Sequence, residues 1–383
     1  MSLPAFTLWK APEGASPVVY VAVCGDFLPA GNLALGGPGA WRERAALIAP
    51  LFDGVASTIV NLESTVGTAG LSPRKLNGLG TIVTAPDASL DYLEAIGAHA
   101  VGLANNHAYD FGPAGVRRTR EAIANRGMVP LGAGFDLCAS PEVSIWQGPR
   151  QIRVGYWAAG KAVSDAATRK SAGVEPARLD RGTEALEIMR RQGATCCIAL
   201  LHAGCLRTNY PDPEDVRLLD GLAEGGFDIV AASHSHRISG ARTIQRHNRR
   251  PAFCFYGLGS LVSGYIASPE EREGLIVVAG LDAHGALARV EVRPLLLAAD
   301  GFARVPAAES SESILNRFRT ISSEIENGSY EKLFYRDMSR GLMRLYLRDA
   351  RRALHQSGVR GLARKAARLR MRHLRRLAHR IVG

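Results

Sequence analysis

The sequence predicts an α/β sandwich built on mixed sheets. Apolar, strand-like runs alternate with helical segments through the first two thirds of the chain, and strands then follow one another without long helices between them. A second observation concerns where those runs stop. Asp26, Glu63, the Asn105-Asn106-His107 turn, His202, and His234 with His236 each fall at the end of an apolar run. Ligands in α/β proteins collect at the carboxyl ends of strands, and five such ends offering oxygen or imidazole donors are hard to attribute to turn capping alone.

In chain order, Val18 to Val23 is a β-branched run ending in Cys24-Gly25-Asp26, which places a carboxylate at a strand tip. Phe27 to Gly39 is rich in Gly and Pro and reads as a loop. Trp41 to Phe52 reads as a helix, Ser57 to Asn61 as a strand entering Leu62-Glu63, and Ser72 to Gly80 as a loop carrying Arg74 and Lys75. A short helix over Ala88 to Ile96 precedes the strand His99 to Leu103. Pro113 then suits the first turn of a helix running to about Arg126. Met128 to Leu131 is a strand, and Glu142–Gln147 with Ile152–Ala158 form a hairpin about Gly148-Pro149.

Gly182 to Gln192 is helical, and Ala194 to Leu201 is the near-continuous apolar run of a strand buried on both faces. His202 ends it. A helix over Pro213 to Glu224 and a strand over Phe227 to Ala232 lead into Ser233-His234-Ser235-His236. Strict strand geometry would point both histidines to one face. Ala252–Phe255, Leu275–Val278 and Ala288–Leu297 are the closing strands, and the sandwich is expected to end near Ala298. Residues 1–17 read as an N-terminal extension. Residues 299–383 read as helical, with Ser310 to Glu326 and Arg340 to Leu354 as segments.

Charge is divided unevenly. The chain carries a net +11, yet Arg340 to Gly383 holds fourteen Lys and Arg against Asp349 alone, so the remainder is close to neutral at −2. Leu362, Ala366, Leu369, His373, Leu377 and Ile381 recur at spacings of three or four within this basic tail, as in an amphipathic helix. Such a helix suits an anionic membrane surface or a polyanion; docking on a partner or on the chain's own acidic surface is a third option. No aromatic residue follows Tyr346, so single-strand stacking is poorly supported and a nucleic-acid role ranks last. The six cysteines show no CxxC spacing and mostly lie in apolar runs, which suggests free thiols in a reducing compartment. No secretory leader pattern is visible, and no apolar run approaches the roughly 20 residues that span a bilayer. A cytoplasmic location is expected, with the tail as the one element able to hold the protein at the inner face of a membrane.

Carboxylate, amide oxygen and imidazole are donors for divalent Mn, Fe, Zn or Mg, and a carboxylate can bridge two ions. Two ions about 3.5–4 Å apart clamp a phosphate and lower the pKa of a bridging water. A nearby histidine that is not a ligand can protonate the leaving oxygen. Asn106 would offer its side-chain oxygen to metal while His107 faces substrate.

The ordered set Gly25-Asp26, Asn61-Leu62-Glu63, Asn105-Asn106-His107 with Asp110 and Gly112, His202-Ala203-Gly204 and His234-Ser235-His236 resembles the CapA-type capsule synthesis proteins of poly-γ-glutamate systems. Phe255-Tyr256-Gly257-Leu258-Gly259-Ser260-Leu261 is similar to that family's Tyr-Ser-Leu-Gly-Asn-Phe signature. The resemblance covers Val18 to Leu297 and implies a four-layer αββα sandwich like that of the calcineurin-like metallophosphoesterases. It implies a shell of one or two divalent ions held by Asp26, Glu63, Asn106, His202, His234 and His236. It further implies catalysis by His107, with Asp110 holding the turn or orienting the ring. Apart from the resemblance, Arg74, Lys75 and Arg207 are loop charges that could meet an anionic substrate, with solvated surface charge as the plainer account, and Asn105 joins Arg74 and Arg207 as a substrate-binding candidate. The reaction the resemblance implies is phosphoester hydrolysis by a metal-activated water, on an anionic phosphoester or polyanionic polymer. The alternative is a non-hydrolytic metal- or polyanion-binding component of polymer synthesis or export. Three departures keep the metal count open: Asp26 is followed by Phe27-Leu28 rather than x-His, His202-Ala203-Gly204-Cys205-Leu206 lacks the family's Trp and Glu, and Ala232-Ser233-His234-Ser235-His236 replaces Gly-His-His-Pro-His.

Overall fold

Two sheets packed face to face and covered by helices on their outer sides form the body of the protein. The computed structural model describes residues 5–12, 15–31, 33, 39–74, 81–161, 165–206, 208–247 and 249–340. The strands of the two large sheets are β1 (Phe6–Lys10), β2 (Val19–Gly31), β3 (Val55–Leu62), β4 (Ala98–Gly102), β5 (Val129–Leu131), β6 (Val143–Gln147), β7 (Arg153–Gly160), β8 (Cys196–His202), β9 (Ile229–Ser233), β10 (Ala241–Ile244), β11 (Ala252–Phe255), β12 (Ser260–Gly264), β13 (Glu273–Leu281), β14 (Leu287–Leu297) and β15 (Ala303–Arg304). The helices are α1 (Ala40–Ala46), α2 (Leu90–Ala95), α3 (Gly112–Ala124), α4 (Leu179–Arg191), α5 (Pro213–Gly225) and α6 (Ala308–Glu326).

The first sheet runs β1-β14-β13-β2-β3-β4-β5, with β12 beside β2 and β15 beside β14; the second runs β10-β11-β9-β8-β7-β6. Both are mixed. β2, β3, β4 and β5 are parallel, whereas β13, β14 and β1 are antiparallel to their neighbours. In the second sheet β7, β8, β9 and β11 are parallel, and β6 and β10 close the edges antiparallel.

Alternation along β8 shows how the layers are made. Cys196, Ile198 and Leu200 join the core shared with the first sheet, while Cys197, Ala199 and Leu201 join the core beneath α4 and α5. Both faces are dry, as the continuous apolar run requires. On the far side of the first sheet, Phe27 packs against Tyr92 at 5.3 Å and Trp41 against Phe302 at 5.5 Å between ring centroids. Each of these buried aromatics contributes roughly 1.5–3 kcal/mol. Turning Phe27 toward α1 and α2 leaves its neighbour Asp26 facing the other way.

Several expectations change. The loop expected from Phe27 to Gly39 begins later, because β2 continues to Gly31 by pairing with β12. Helix α1 stops at Ala46, and a 3-10 turn over Ala49–Phe52 follows, with Pro50 near its start. The N-terminal extension supplies β1, which pairs with β14. The compact unit continues past Ala298 to Glu331. Helix α6 belongs to it: Ser322 Oγ accepts the Ala241 amide at 2.9 Å and Phe318 stacks on Phe255 at 6.5 Å. Of the second unit, Lys332–Gly383, residues 332–340 are helical, and the basic amphipathic tail lies outside the described residues. Among the described residues no helix is long and apolar enough to cross a membrane.

Candidate metal centre

Asp26 is not at a strand tip. It sits inside β2 at an irregularity, where the register with β3 slips between Val23 and Asp26. Gly25 makes this bend possible, since a β-carbon there would overlap the Gly259 carbonyl oxygen. That same carbonyl accepts the Asp26 amide at 3.1 Å, from a Gly259 held at φ +70°. Glu63, just past β3, is tied to β2 by its own amide, which donates to Phe27 O at 3.0 Å. Both carboxylates are buried.

From the second sheet come three histidines. His202 ends β8 and is 2% exposed. His234 and His236 lie beyond the end of β9, in a turn and not in a strand, with φ of 141° and 57°. The two-residue alternation expected of a strand therefore does not explain their common direction. A backbone held in regions that side chains rarely adopt does so.

These groups converge on Glu63. Its Oε1 lies 3.5 Å from His202 Nε2 and 4.0 Å from His234 Nδ1, and its Oε2 lies 3.7 Å from His236 Nε2. Asp26 Oδ2 is 3.1 Å from His236 Nδ1. Two groups with ligand spacing result, Glu63/His202/His234 and Asp26/Glu63/His236, and Glu63 belongs to both. Among the described residues Asp26 Oδ2, Glu63 Oε2 and His234 Nδ1 are buried without a hydrogen-bond partner. Buried polar atoms are ordinarily satisfied, so three bare donors around one point fit a cation. The residues present suit a divalent ion.

Electrostatics agree with a site short of positive charge. Burial alone would raise the Asp26 carboxyl, but the imidazoles of His202 and His236 beside it hold it below the usual carboxylate range. Burial and the charge of Asp26 push Glu63 well up. Burial would lower His236, yet the charge of Glu63 and the neighbouring Asp26 carboxylate outweigh it and raise the imidazole to about 9. Burial lowers His202, and burial with the nearby His202 lowers His234 to about 3, leaving both rings neutral and able to ligate.

The Asn-Asn-His turn lies at the end of β4. Asn106 Oδ1 is 2.6 Å from His202 Nε2, placing it at the same cluster. His107 turns its Nδ1 to Asp110 Oδ2 at 2.8 Å, and that oxygen also accepts the Val83 amide at 2.7 Å. Asp110 therefore orients the ring and pins the turn. Asn105, expected to meet substrate, has its carboxamide already engaged within the protein. It is buried, and its carboxamide is bonded to Asn61 Oδ1 at 3.2 Å, Leu62 O at 2.7 Å and the His107 amide at 3.1 Å. Arg74 pairs with Asp165 and donates its backbone N–H to Asp110 O at 2.7 Å. Arg207 and Lys75 lie outside the described residues.

Asn61 stands in the Asn61-Leu62-Glu63 motif of the sequence but was given no role there. Asn61 Nδ2 donates to Asp26 Oδ1 at 2.7 Å and lies 3.1 Å from His202 Nδ1. Its signal was available: Asn61 stands two residues before Glu63, and residues two apart on a strand share a face.

Fold and site together define a layered α/β sandwich with a candidate metal centre, its donors gathered where the central strands of the two sheets meet. The family model described as bacterial capsule synthesis protein PGA_cap matches residues 20–265, and the chain belongs to that family. It is 30% identical over 237 residues to a probable polyglutamine synthesis accessory protein of Mycobacterium tuberculosis, covering 59% of this chain and 60% of that one. It is 24% identical over 247 residues to the PGA biosynthesis protein CapA of Bacillus subtilis, covering 63% and 60%. The chain thus spans about 60% of the length of the curated relatives it matches. Among solved structures it is similar to a 5'-nucleotidase precursor from Thermus thermophilus (13% identity, TM-score 0.46, 79% of this chain and 58% of that one). A calcineurin-like phosphoesterase from Bacillus subtilis is comparable (13%, 0.42, 82% and 98%). These structural likenesses are too remote to bear on what the chain acts on.

Proposed function

We propose that this chain is a metal-dependent phosphoester hydrolase of the capsule-synthesis family. The observation that carries the reading is Glu63, shared between two groups of ligand spacing whose buried donors lack partners. Asp26, Glu63 and His236 would hold one divalent ion and Glu63, His202 and His234 another, with Asn106 beside His202. Mn, Fe, Zn and Mg all suit such donors. When bound, such ions supply a nucleophilic water at neutral pH and charge to offset the phosphate.

His107 is next to Asn106 in sequence and partly open to solvent. Its Nδ1 is engaged by Asp110, which leaves Nε2 to meet a substrate oxygen. Asp110 keeps the ring aimed, so that Nε2 of His107 is the nitrogen placed to pass a proton to a leaving oxygen. The names of the relatives support an anionic substrate connected with polymer synthesis, and a phosphoester on such a polymer or its precursor fits this site. The basic tail would add affinity for the polyanion or for an anionic membrane surface.

The test is metal content of the purified protein, together with hydrolysis of an aryl phosphate monoester and diester with added Mn²⁺. Bound metal with turnover is expected, and His107→Ala should lower kcat about 10²–10⁴-fold while metal content stays as in the parent. Bound metal with no turnover on a broad ester panel would favour the non-hydrolytic alternative, a metal- or polyanion-binding component of polymer synthesis. A folded protein that takes up no metal would overturn the hydrolase and the metal-binding form of the alternative, leaving polyanion binding alone.

A further inference from the structure

We propose that the end of the second sheet opposite the metal centre is a docking surface for an anionic polymer, whose carboxylates meet a row of arginines. Strands β7, β8, β9 and β11 run parallel, so the segments entering them gather at one end and His202, His234 and His236 at the other. β8 has seven residues and separates the two ends by about 20 Å at roughly 3.3 Å per residue. Residues 148–153, 190–195, 226–228 and 245–251 enter these strands. The turn from β13 to β14, residues 282–286, packs beside them: a β-carbon on Gly285 would overlap Thr195 Oγ1. Together the five segments hold seven arginines against Asp228 and Asp282, a net +5. Residues 1–339 as a whole carry −2, so the rest of that stretch stands at −7.

The arginines are set in place by the fold. Asp228 pairs with Arg190 at 3.1 Å and with Arg246 at 2.8 Å, and Asp282 pairs with Arg250 at 2.7 Å. Arg153 donates to Gln192 O at 3.3 Å. Among the described residues Arg150, Arg191 and Arg249 are exposed and have no carboxylate partner. Arg150 stands on a turn where it and Gln151 hold φ of 54° and 59°, and such unfavourable backbone collects at binding surfaces. Beside these residues a groove of about 850 Å³ is lined by Trp9, Arg249, Arg250, Asp282 and His284. The four parallel strands are neighbours in the sheet, so their entries form a row about 14 Å long, three strand spacings. A row of that kind suits an extended chain, and a guanidinium grips a carboxylate by two parallel bonds. A lipid surface fits less well, because none of the large apolar side chains exposed among the described residues lies in these segments. Single-stranded nucleic acid fits less well too, since Trp9 is packed against Phe253 at 5.6 Å and not free to stack a base.

This docking role rests on the reading of the substrate as an anionic polymer, not on its hydrolysis. The test is binding of fluorescein-labelled poly-glutamate to the full chain, read by anisotropy at low and raised salt. The triple variant Arg150→Glu/Arg191→Glu/Arg249→Glu should bind about tenfold more weakly or worse, with a shallower salt dependence. Hydrogen exchange on the parent protein should show residues 245–251 and 282–286 protected when polymer is added, a readout that needs no variant. Parental affinity in the folded triple variant, or protection confined to residues 340–383, would overturn the proposal and assign the polymer to the basic tail. A loss seen with duplex DNA, or with vesicles of equal parts phosphatidylcholine and phosphatidylglycerol, but not with poly-glutamate would overturn it by naming another occupant. Neither readout uses turnover, so a protein that hydrolyses no ester would sink the hydrolase and leave this surface standing.

Discussion

The two sheets contribute to the candidate centre in opposite styles. From the first sheet come Asp26, Asn61, Asn105 and the His107–Asp110 pair, joined by hydrogen bonds of 2.7–3.2 Å that satisfy both buried amides. From the second come His202 and two histidines on a turn with positive φ, one of them with a bare, buried Nδ1. One half is a scaffold whose buried amides are satisfied without an ion, with Asp26 Oδ2 left bare toward the cluster. The other half holds unfavourable backbone and unmatched polarity of the kind that persists where a ligand is to be bound. Glu63 stands at the seam, placed by the first sheet and facing the histidines of the second.

That division makes the largest expected effect a metal count. Glu63→Ala strikes both groups and should abolish stoichiometric metal binding and any associated turnover. His234→Ala or His236→Ala each strikes one group and should leave about half the metal of the parent protein. Elemental analysis after dialysis, with thermal unfolding as a check on folding, reads all three. If Glu63→Ala kept the parent's metal content, the carboxylate would not be shared and the seam would lie elsewhere.

Next in size is the scaffold itself. Gly25→Ala drives a methyl into the Gly259 carbonyl, where backbone on both sides has to shift. Overpacking of this kind costs up to about 3 kcal/mol, measurable by urea unfolding, and Asp26 should be displaced with it. A Gly25→Ala protein of parental stability would show that the bend in β2 is soft and that the scaffold half is not rigid.

The same contrast explains what the sequence revealed. Apolar runs, helix starts at Pro113 and Pro213, and the donors at run ends were legible because local pattern sets them. The extension of β2 through Pro29 was not, since proline and glycine signal a break and the pairing that carries the strand onward comes from β12, more than 200 residues later. His234 and His236 were found from their spacing, although the real cause of their convergence is turn geometry that periodicity does not encode. Asn105 looked available for substrate because its partners, Asn61 and Leu62, lie on another strand. Long-range pairing decides which polar side chains remain free, and single-chain patterns are silent about it.

Arg74 gives the smallest effect and the finest test of the boundary between scaffold and substrate groove. Its backbone belongs to the scaffold through the bond to Asp110 O, while its half-exposed guanidinium pairs with Asp165. Exposed ion pairs contribute roughly 0–1 kcal/mol, so Arg74→Ala should change stability by less than about 1 kcal/mol. It should leave kcat unaltered if the side chain serves only that pair. A several-fold rise in KM for an anionic ester at constant kcat would instead show that Arg74 leaves Asp165 to meet substrate. The Arg74 loop and the His107 turn it is bonded to would then supply anion contact and proton donor side by side, and the first sheet would supply more than support.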